Sequence, residues 1–176
     1  LGLLSRDGAA LPLQLAGSSE AAPQHTLVLT EASASYSFVN TDSEPVPSLL
    51  RGFSAPVVLE DGLNADDLLI LLAHDSDPFN QWEAGQRLML QSALDAIQQN
   101  KDLTGIPVLS EELVAALRNV LRHPTLDAAF KDLALTLPNG DAVSLEGHAD
   151  KYRGLLVAGQ SGYVAWAPQD ATLIVE

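Results

Sequence analysis

The sequence predicts an α+β protein: a small β-sandwich, then antiparallel helices, then a β-type tail. Three observations carry this. Strand-like runs separated by turn residues fill the first 60 or so positions, capped helical stretches follow from Asn64, and strand-type sequence returns in the last 36 residues. The expected boundaries are 1–61 for the sandwich, 62–138 for the helices and 139–176 for a tail of hairpin or meander type.

In the first region, Leu1–Leu4 and Leu11–Leu15 flank the turn Ser5-Arg6-Asp7-Gly8, in which Asp and Gly supply the turn chemistry. Leu11, Leu13 and Leu15 alternate at the strand period, and Pro12 points to an edge position. Thr26–Thr30 and Ser35–Val39 read as two more strands, the latter with Tyr36 and Phe38 on one face. Asn40–Pro47 is rich in turn residues, and Ala55–Glu60 reads as a last strand.

In the second region, Asn64 fits a helix N-cap, with Asp66 and Asp67 at the positive end of the helix dipole and an almost wholly apolar Leu68–Ala73 behind them. Asp77 and Pro78 fit the cap and first position of a second helix, whose expected stripe is Phe79, Trp82, Leu90, Ala93, Leu94 and Ile97. Glu83 and Arg87 stand four apart on its flank. Ser110, followed by Glu111 and Glu112, opens a third helix with the stripe Leu113, Leu117, Val120 and Leu121, stopped at Pro124. Thr125 is the expected cap of a fourth helix carrying Leu126, Ala129, Phe130 and Leu133. Short loops make neighbouring helices antiparallel. In the tail, Pro138-Asn139-Gly140-Asp141 is a hairpin turn, and Gly154–Ala158, Tyr163–Ala167 and Thr172–Val175 read as strands.

Composition removes several function classes. Lys and Arg number 9 against 23 Asp and Glu, a net charge of −14, which repels phosphate backbones and anionic lipid, so neither nucleic acid nor a membrane surface is expected as a partner. The absence of cysteine excludes disulfide scaffolds, thiolate zinc sites, iron–sulfur clusters and cysteine nucleophiles. No apolar run reaches the length of a membrane span. The opening Leu1–Arg6 is not a signal peptide and reads like the interior of a longer chain.

Four groups of residues have chemistry to weigh. His74-Asp75-Ser76-Asp77 offers metal-ligand atoms, although capping explains both aspartates. Phe79, Trp82 and Met89 fit core packing better than a ligand groove. Arg51-Gly52-Phe53 fits either a surface loop or a surface packed against a neighbouring domain. Gly159-Gln160-Ser161-Gly162-Tyr163 hints at a nucleophile elbow, but Tyr163 stands where that motif needs Gly, and His148 and Asp150 precede the serine instead of following it. The expected catalytic, cofactor and metal residues within this chain are therefore none.

Three stretches carry a family resemblance: Gly2–Leu15, Pro45–Val57 and Ala73–Leu88. In order and spacing they resemble the bacterial alanyl aminopeptidases of the M1 zinc metallopeptidase family, across roughly three quarters of the chain. The resemblance implies that the first region is the family's immunoglobulin-like third domain. It implies that the second begins the C-terminal helical domain, an α-solenoid-like stack. It also implies a cytoplasmic enzyme that removes N-terminal residues from peptides with zinc. The motifs for that chemistry, His-Glu-x-x-His and Gly-x-Met-Glu-Asn, belong to an upstream catalytic domain and are absent here; His25, His74, His123 and His148 are none of them followed by Glu. The expected role is thus a non-catalytic segment that braces the catalytic domain of the same parent chain and starts a helical lid, inactive alone and holding no zinc. Residues from about Asn139 depart from the family pattern. A free-standing binding or scaffold module is the alternative, and a small hydrolase using Ser161 a third reading.

Overall fold

A computed structural model of the chain describes residues 1–41, 43–98, 109–138, 162–167 and 170–175, with side chains through position 96 of the second helix and not for the last two strands. The strands are β1 (Gly2–Leu4), β2 (Ala10–Leu11), β3 (Leu13–Leu15), β4 (Ala21–Ala22), β5 (Ala34–Val39), β6 (Val46–Ser48), β7 (Gly162–Ala167) and β8 (Asp170–Val175). The helices are α1 (Ala65–His74), α2 (Pro78–Gln98), α3 (Glu111–Arg122) and α4 (Ala128–Leu135).

Two antiparallel sheets form, in the orders β2-β1-β6 and β4-β3-β5-β8-β7. The predicted strand Leu11–Leu15 is divided at Pro12, and its halves join different sheets. Proline has no N–H to give a ladder, so the chain changes sheets where it would donate nothing. Leu3, Leu13 and Phe38 close a small core between the sheets, and Tyr36 packs against it from the same face as Phe38.

β1 explains how sandwich and helices become one body. Successive strand residues face opposite ways. Leu3 enters the core between the sheets, whereas Leu4 enters a second core with Val46, Leu68, Leu72, Leu88, Met89, Leu113 and Val120. The sheet β2-β1-β6 is thus covered on both faces, which is why all of Gly2–Leu4 and Val46–Ser48 is buried and apolar alternation is missing there.

The helix starts follow the capping chemistry. Asn64 Oδ1 accepts the Asp67 N–H (3.0 Å) and Asp67 Oδ2 accepts the Asn64 N–H (3.1 Å), a reciprocal box. Asp77 Oδ1 accepts from Asn80 N–H at 3.0 Å ahead of α2, and Ser110 Oγ from Leu113 N–H at 3.2 Å ahead of α3.

Several expectations are corrected. Thr26–Thr30 and Ala55–Glu60 are not strands; strand β6 falls instead at Val46–Ser48, inside and just past the stretch read as turn. Pairing decided this: β6 lies directly against β1, with Leu3 opposite Pro47, while Thr26–Thr30 leaves the sheet after Leu1 and His25 exchange backbone bonds. The cap of α4 is Asp127, which accepts from Phe130 N–H at 2.9 Å, and Thr125 instead turns to His123. The buried face of α2 is Asn80, Gln81, Ala84, Gly85, Leu88, Met89 and Ala96, so the expected stripe from Phe79 to Leu94 flanks it, only partly buried. In the tail, β7 and β8 contain the predicted Tyr163–Ala167 and Thr172–Val175, and β8 pairs with β5 from Ala34 opposite Val175 to Phe38 opposite Ala171. The predicted strand Gly154–Ala158 lies outside the described residues.

Candidate functional site

The polar chemistry of the described residues gathers at the joint between the sheets and the helices. Four links cross it. The Arg6 guanidinium, in the turn after β1, bonds Asp67 in the first turn of α1 and reaches Glu44 at 3.4 Å. Arg87 of α2 grips Asp61 with both guanidinium nitrogens, at 2.6 and 2.9 Å. Buried Asn80 donates its side-chain amide to buried Ser48 Oγ at 2.8 Å.

The fourth link joins two groups that the sequence presented separately. Arg51 and Gly52 seat on the turn Asp75-Ser76-Asp77. The Arg51 guanidinium bonds Ser76 Oγ and lies 3.5 Å from Asp75 Oδ1, and the Gly52 N–H donates to Asp77 Oδ2 at 2.8 Å. Asp77 therefore caps α2 with one oxygen and holds the loop with the other. Leu50, Gly52 and Phe53 all have left-handed backbone (φ 51°, 65° and 53°), a conformation that costs non-glycine residues energy and that these contacts hold in place. Gly2 lies under the same arginine: a Cβ there would meet Arg51 Nη1 at 2.2 Å. Of the two readings of Arg51-Gly52-Phe53, packing against a neighbouring region describes Arg51 and Gly52, whereas Phe53 stays 58% exposed beside Phe79, ring centroids 5.1 Å apart.

The remaining sequence candidates fall into place around this joint. His74 lies over Gly8, where an added Cβ would meet its ring at 2.3 Å. Asp75 accepts the Asp77 N–H at 2.9 Å, leaving its other oxygen and Arg51 Nε buried without partners. Among the described residues, no three His, Asp or Glu side chains converge as a metal site would require. Met89 is core, and Phe79 lies between Phe53 and Trp82. Tyr163 is in β7, while Ser161, His148 and Asp150 lie outside the described residues. Sequence reasoning missed Arg6, Ser48, Asp61 and Asn80, and read Asp67 and Arg87 only for their roles within a helix. Their partners lie 26 to 61 positions away, so no local spacing marks them.

A groove of about 430 Å³ opens beside the joint, with Leu68, Leu71 and Phe79 on the helix side and Val57, Val58 and Leu59 on the other. Glu83 and the Asp61–Arg87 pair stand on its wall. Burial raises the Glu83 carboxyl above its ordinary 4.5, against the opposing pull of Arg87. The hydrogen bond to Asp61 raises Arg87, outweighing burial. The arrangement is one of mutually committed charges, suited to fixing two modules at one angle.

Comparison with known proteins agrees with both halves. Residues 1–62 match a domain of unknown function with an Ig-like fold (DUF3458), and residues 65–153 match a domain of unknown function with ARM repeats (DUF3458_C). Aminopeptidase N of Caulobacter vibrioides is 32% identical over 82% of this chain and 15% of that protein. Aminopeptidase N of Escherichia coli is 33% identical over 78% of this chain and 15% of that protein. The chain thus spans about 15% of the length of these relatives. A crystal structure of Legionella pneumophila aminopeptidase A in complex with aspartic acid superposes with a TM-score of 0.51 at 22% identity, over 87% of this chain and 18% of that one, a likeness of fold. An Ig-like module running into ARM-type helices, with this sequence kinship on both sides of the joint, shows that the chain belongs to the M1 aminopeptidase N family.

Proposed function

We propose that this chain is a non-catalytic, bracing segment of a zinc-dependent aminopeptidase, with its sandwich set against the parent's catalytic domain and its helices beginning the lid over that domain. The observation that carries this reading is the joint itself: four polar links and a shared apolar core hold the two modules rigidly, as a brace requires, and its charged groups are spent on one another. The parent's substrates are peptides with a free N-terminus, and its zinc is held by the upstream His-Glu-x-x-His domain that the family resemblance implies. Within this reading the chain divides at about 1–61 for the sandwich and 62–138 for the helices, with β7 and β8 of the 139–176 tail completing the sheet that contains β5. A cytoplasmic setting accords with this reading; no helix among the described residues is long and apolar enough to cross a membrane.

The test is the coding sequence around this chain and the protein it encodes. The reading expects His-Glu-x-x-His upstream, about one zinc per longer chain by elemental analysis, and release of an aminoacyl anilide by the longer product but not by the 176-residue chain. A flanking sequence without that motif removes the proposal. Stoichiometric zinc or anilide cleavage in the 176-residue chain removes it equally.

A further inference from the structure

Leu1 and His25 exchange two backbone hydrogen bonds: Leu1 N donates to His25 O at 2.9 Å, and His25 N–H donates to Leu1 O at 3.0 Å. Such a reciprocal exchange is the hydrogen-bonded pair of an antiparallel ladder. It fixes both a direction and a register. Down the chain from His25 and up the chain from Leu1, the next partners are Thr26 and the residue before Leu1, then Leu27 and the residue two before Leu1. The ladder of β1 therefore points off the first residue of this sequence and along Thr26–Thr30, a run of strand-like composition that pairs with no strand among the described residues.

The backbone of Thr26–Thr30 is set out for that partner. Successive residues of a strand turn their N–H and C=O groups to opposite edges. Val28 uses one edge: its carbonyl accepts from Tyr36 Oη of β5 at 3.1 Å. Leu27 and Leu29 belong to the other edge, the one His25 presents to Leu1, and among the described residues their backbone groups have no hydrogen-bond partner. Side chains alternate in the same way. Leu27 packs with Leu1 on the core of Leu3, Leu13 and Phe38, whereas Val28 is 71% exposed. Burial, aided by Arg51, pulls the Leu1 ammonium below its ordinary 8.0, and an uncharged peptide N–H keeps the bond to His25 O without that penalty.

We propose that the residues preceding Leu1 in the parent polypeptide continue β1 and pair antiparallel with Thr26–Thr30. This lengthens an existing strand and adds none to the two sheets. About five residues cover the segment. The residue before Leu1 lies opposite Thr26 in a non-hydrogen-bonded pair. The residue two before Leu1 lies opposite Leu27, on the face of Leu1 and Leu3, where the core calls for an apolar side chain. The inference rests on the parent-enzyme reading above, which supplies the upstream chain.

Amide hydrogen exchange of Leu27 and Leu29 decides it, measured on the 176-residue chain and on the longer product of the same gene. In the longer product both amides are expected to slow about 100-fold or more, while Thr26 and Val28 keep the rates they have in the 176-residue chain. A second measurement fixes the register in the longer product. A cysteine placed immediately before Leu1 faces Thr26→Cys with Cα atoms about 4.5 Å apart, and the two are expected to form a disulfide, mapped by peptide mass, that Leu27→Cys does not form. A longer product that is an active aminopeptidase yet leaves Leu27 and Leu29 unprotected overturns the continued ladder while the parent-enzyme reading stands. A longer product without the zinc motif overturns that reading instead, and the exchange pattern still decides the ladder. Protection of Leu27 and Leu29 already present in the 176-residue chain, or slowing of Val28 in step with them, overturns the proposal.

Discussion

Single side chains at the joint do more than their local sequence suggests. Asn80 is the clearest. It looks like an ordinary first-turn helix residue, yet its amide satisfies Ser48 Oγ in a buried site. Asn80→Ala removes the shorter of that hydroxyl's two bonds, leaving Arg51 Nη1 at 3.5 Å, and is expected to cost about 1 kcal/mol in urea unfolding. Gly8 is constrained twice, by φ +86° and by the His74 ring over it. Gly8→Ala is expected to cost about 1 kcal/mol, and adding His74→Ala should recover only the part due to collision. Glu83 gives a pH signature. Its carboxyl is raised in the folded state above the 4.5 of a free side chain, so the fold binds that proton more tightly than the unfolded chain does. Its contribution is therefore full below 4.5 and is lost as pH rises through the folded value. Glu83→Gln should raise the thermal midpoint at pH 7 and leave it nearly unchanged at pH 4; the opposite order would show that its attraction to Arg87 outweighs burial. The residue-level reading from sequence succeeded where an interaction is local, as with Asn64 and Asp67, and missed Arg6, Asp61 and Asn80 because their partners are brought up only by the fold.

At the scale of elements, caps were legible and ladders were not. A cap is written within four residues, so α1, α2 and α3 begin where the sequence places them. The exception is instructive. Thr125 and Asp127 both precede α4, and the aspartate takes the Phe130 N–H. Asp127→Ala is expected to destabilise by about 1 kcal/mol, whereas Thr125→Ala should change stability by less than about 0.5 kcal/mol, compared by denaturant midpoints. Strands depend on a distant partner. Val57 and Val58 have the composition of a strand and lack the ladder, while Val46–Ser48, interrupted by Pro47, forms one because β1 lies alongside. The face of α2 was misjudged for a related reason: Gln81 is polar by type but buried, its amide donating to Leu72 O at 3.3 Å, so counting apolar residues rotated the helix.

For the molecule as a whole, the fold class was readable because its two periodicities occupy separate stretches of sequence, but the continuity between modules was not. Leu4 and Val46 belong to the helical core although they lie in the sandwich sequence. The described sandwich and helices should therefore melt in one cooperative transition, seen as coincident loss of near- and far-ultraviolet circular dichroism; two separated transitions would show the cores to be independent. Breaking the Asp61–Arg87 pair tests the polar side of the joint. Arg87→Ala leaves Asp61 charged, buried and unpaired, with an expected loss of about 3 kcal/mol in urea unfolding.

The two-faced strand β1 carries a practical consequence. Family boundaries fall at residues 62 and 65, which invites excision of either half by itself. Cutting there would strip Leu4 and Val46 of their cover and open Leu68, Leu71 and Leu72 to water, so each half would present a sticky oily wound. Anyone wishing to study the helices separately must carry Gly2–Leu4 and Val46–Ser48 along, because the evolutionary seam and the mechanical seam do not coincide.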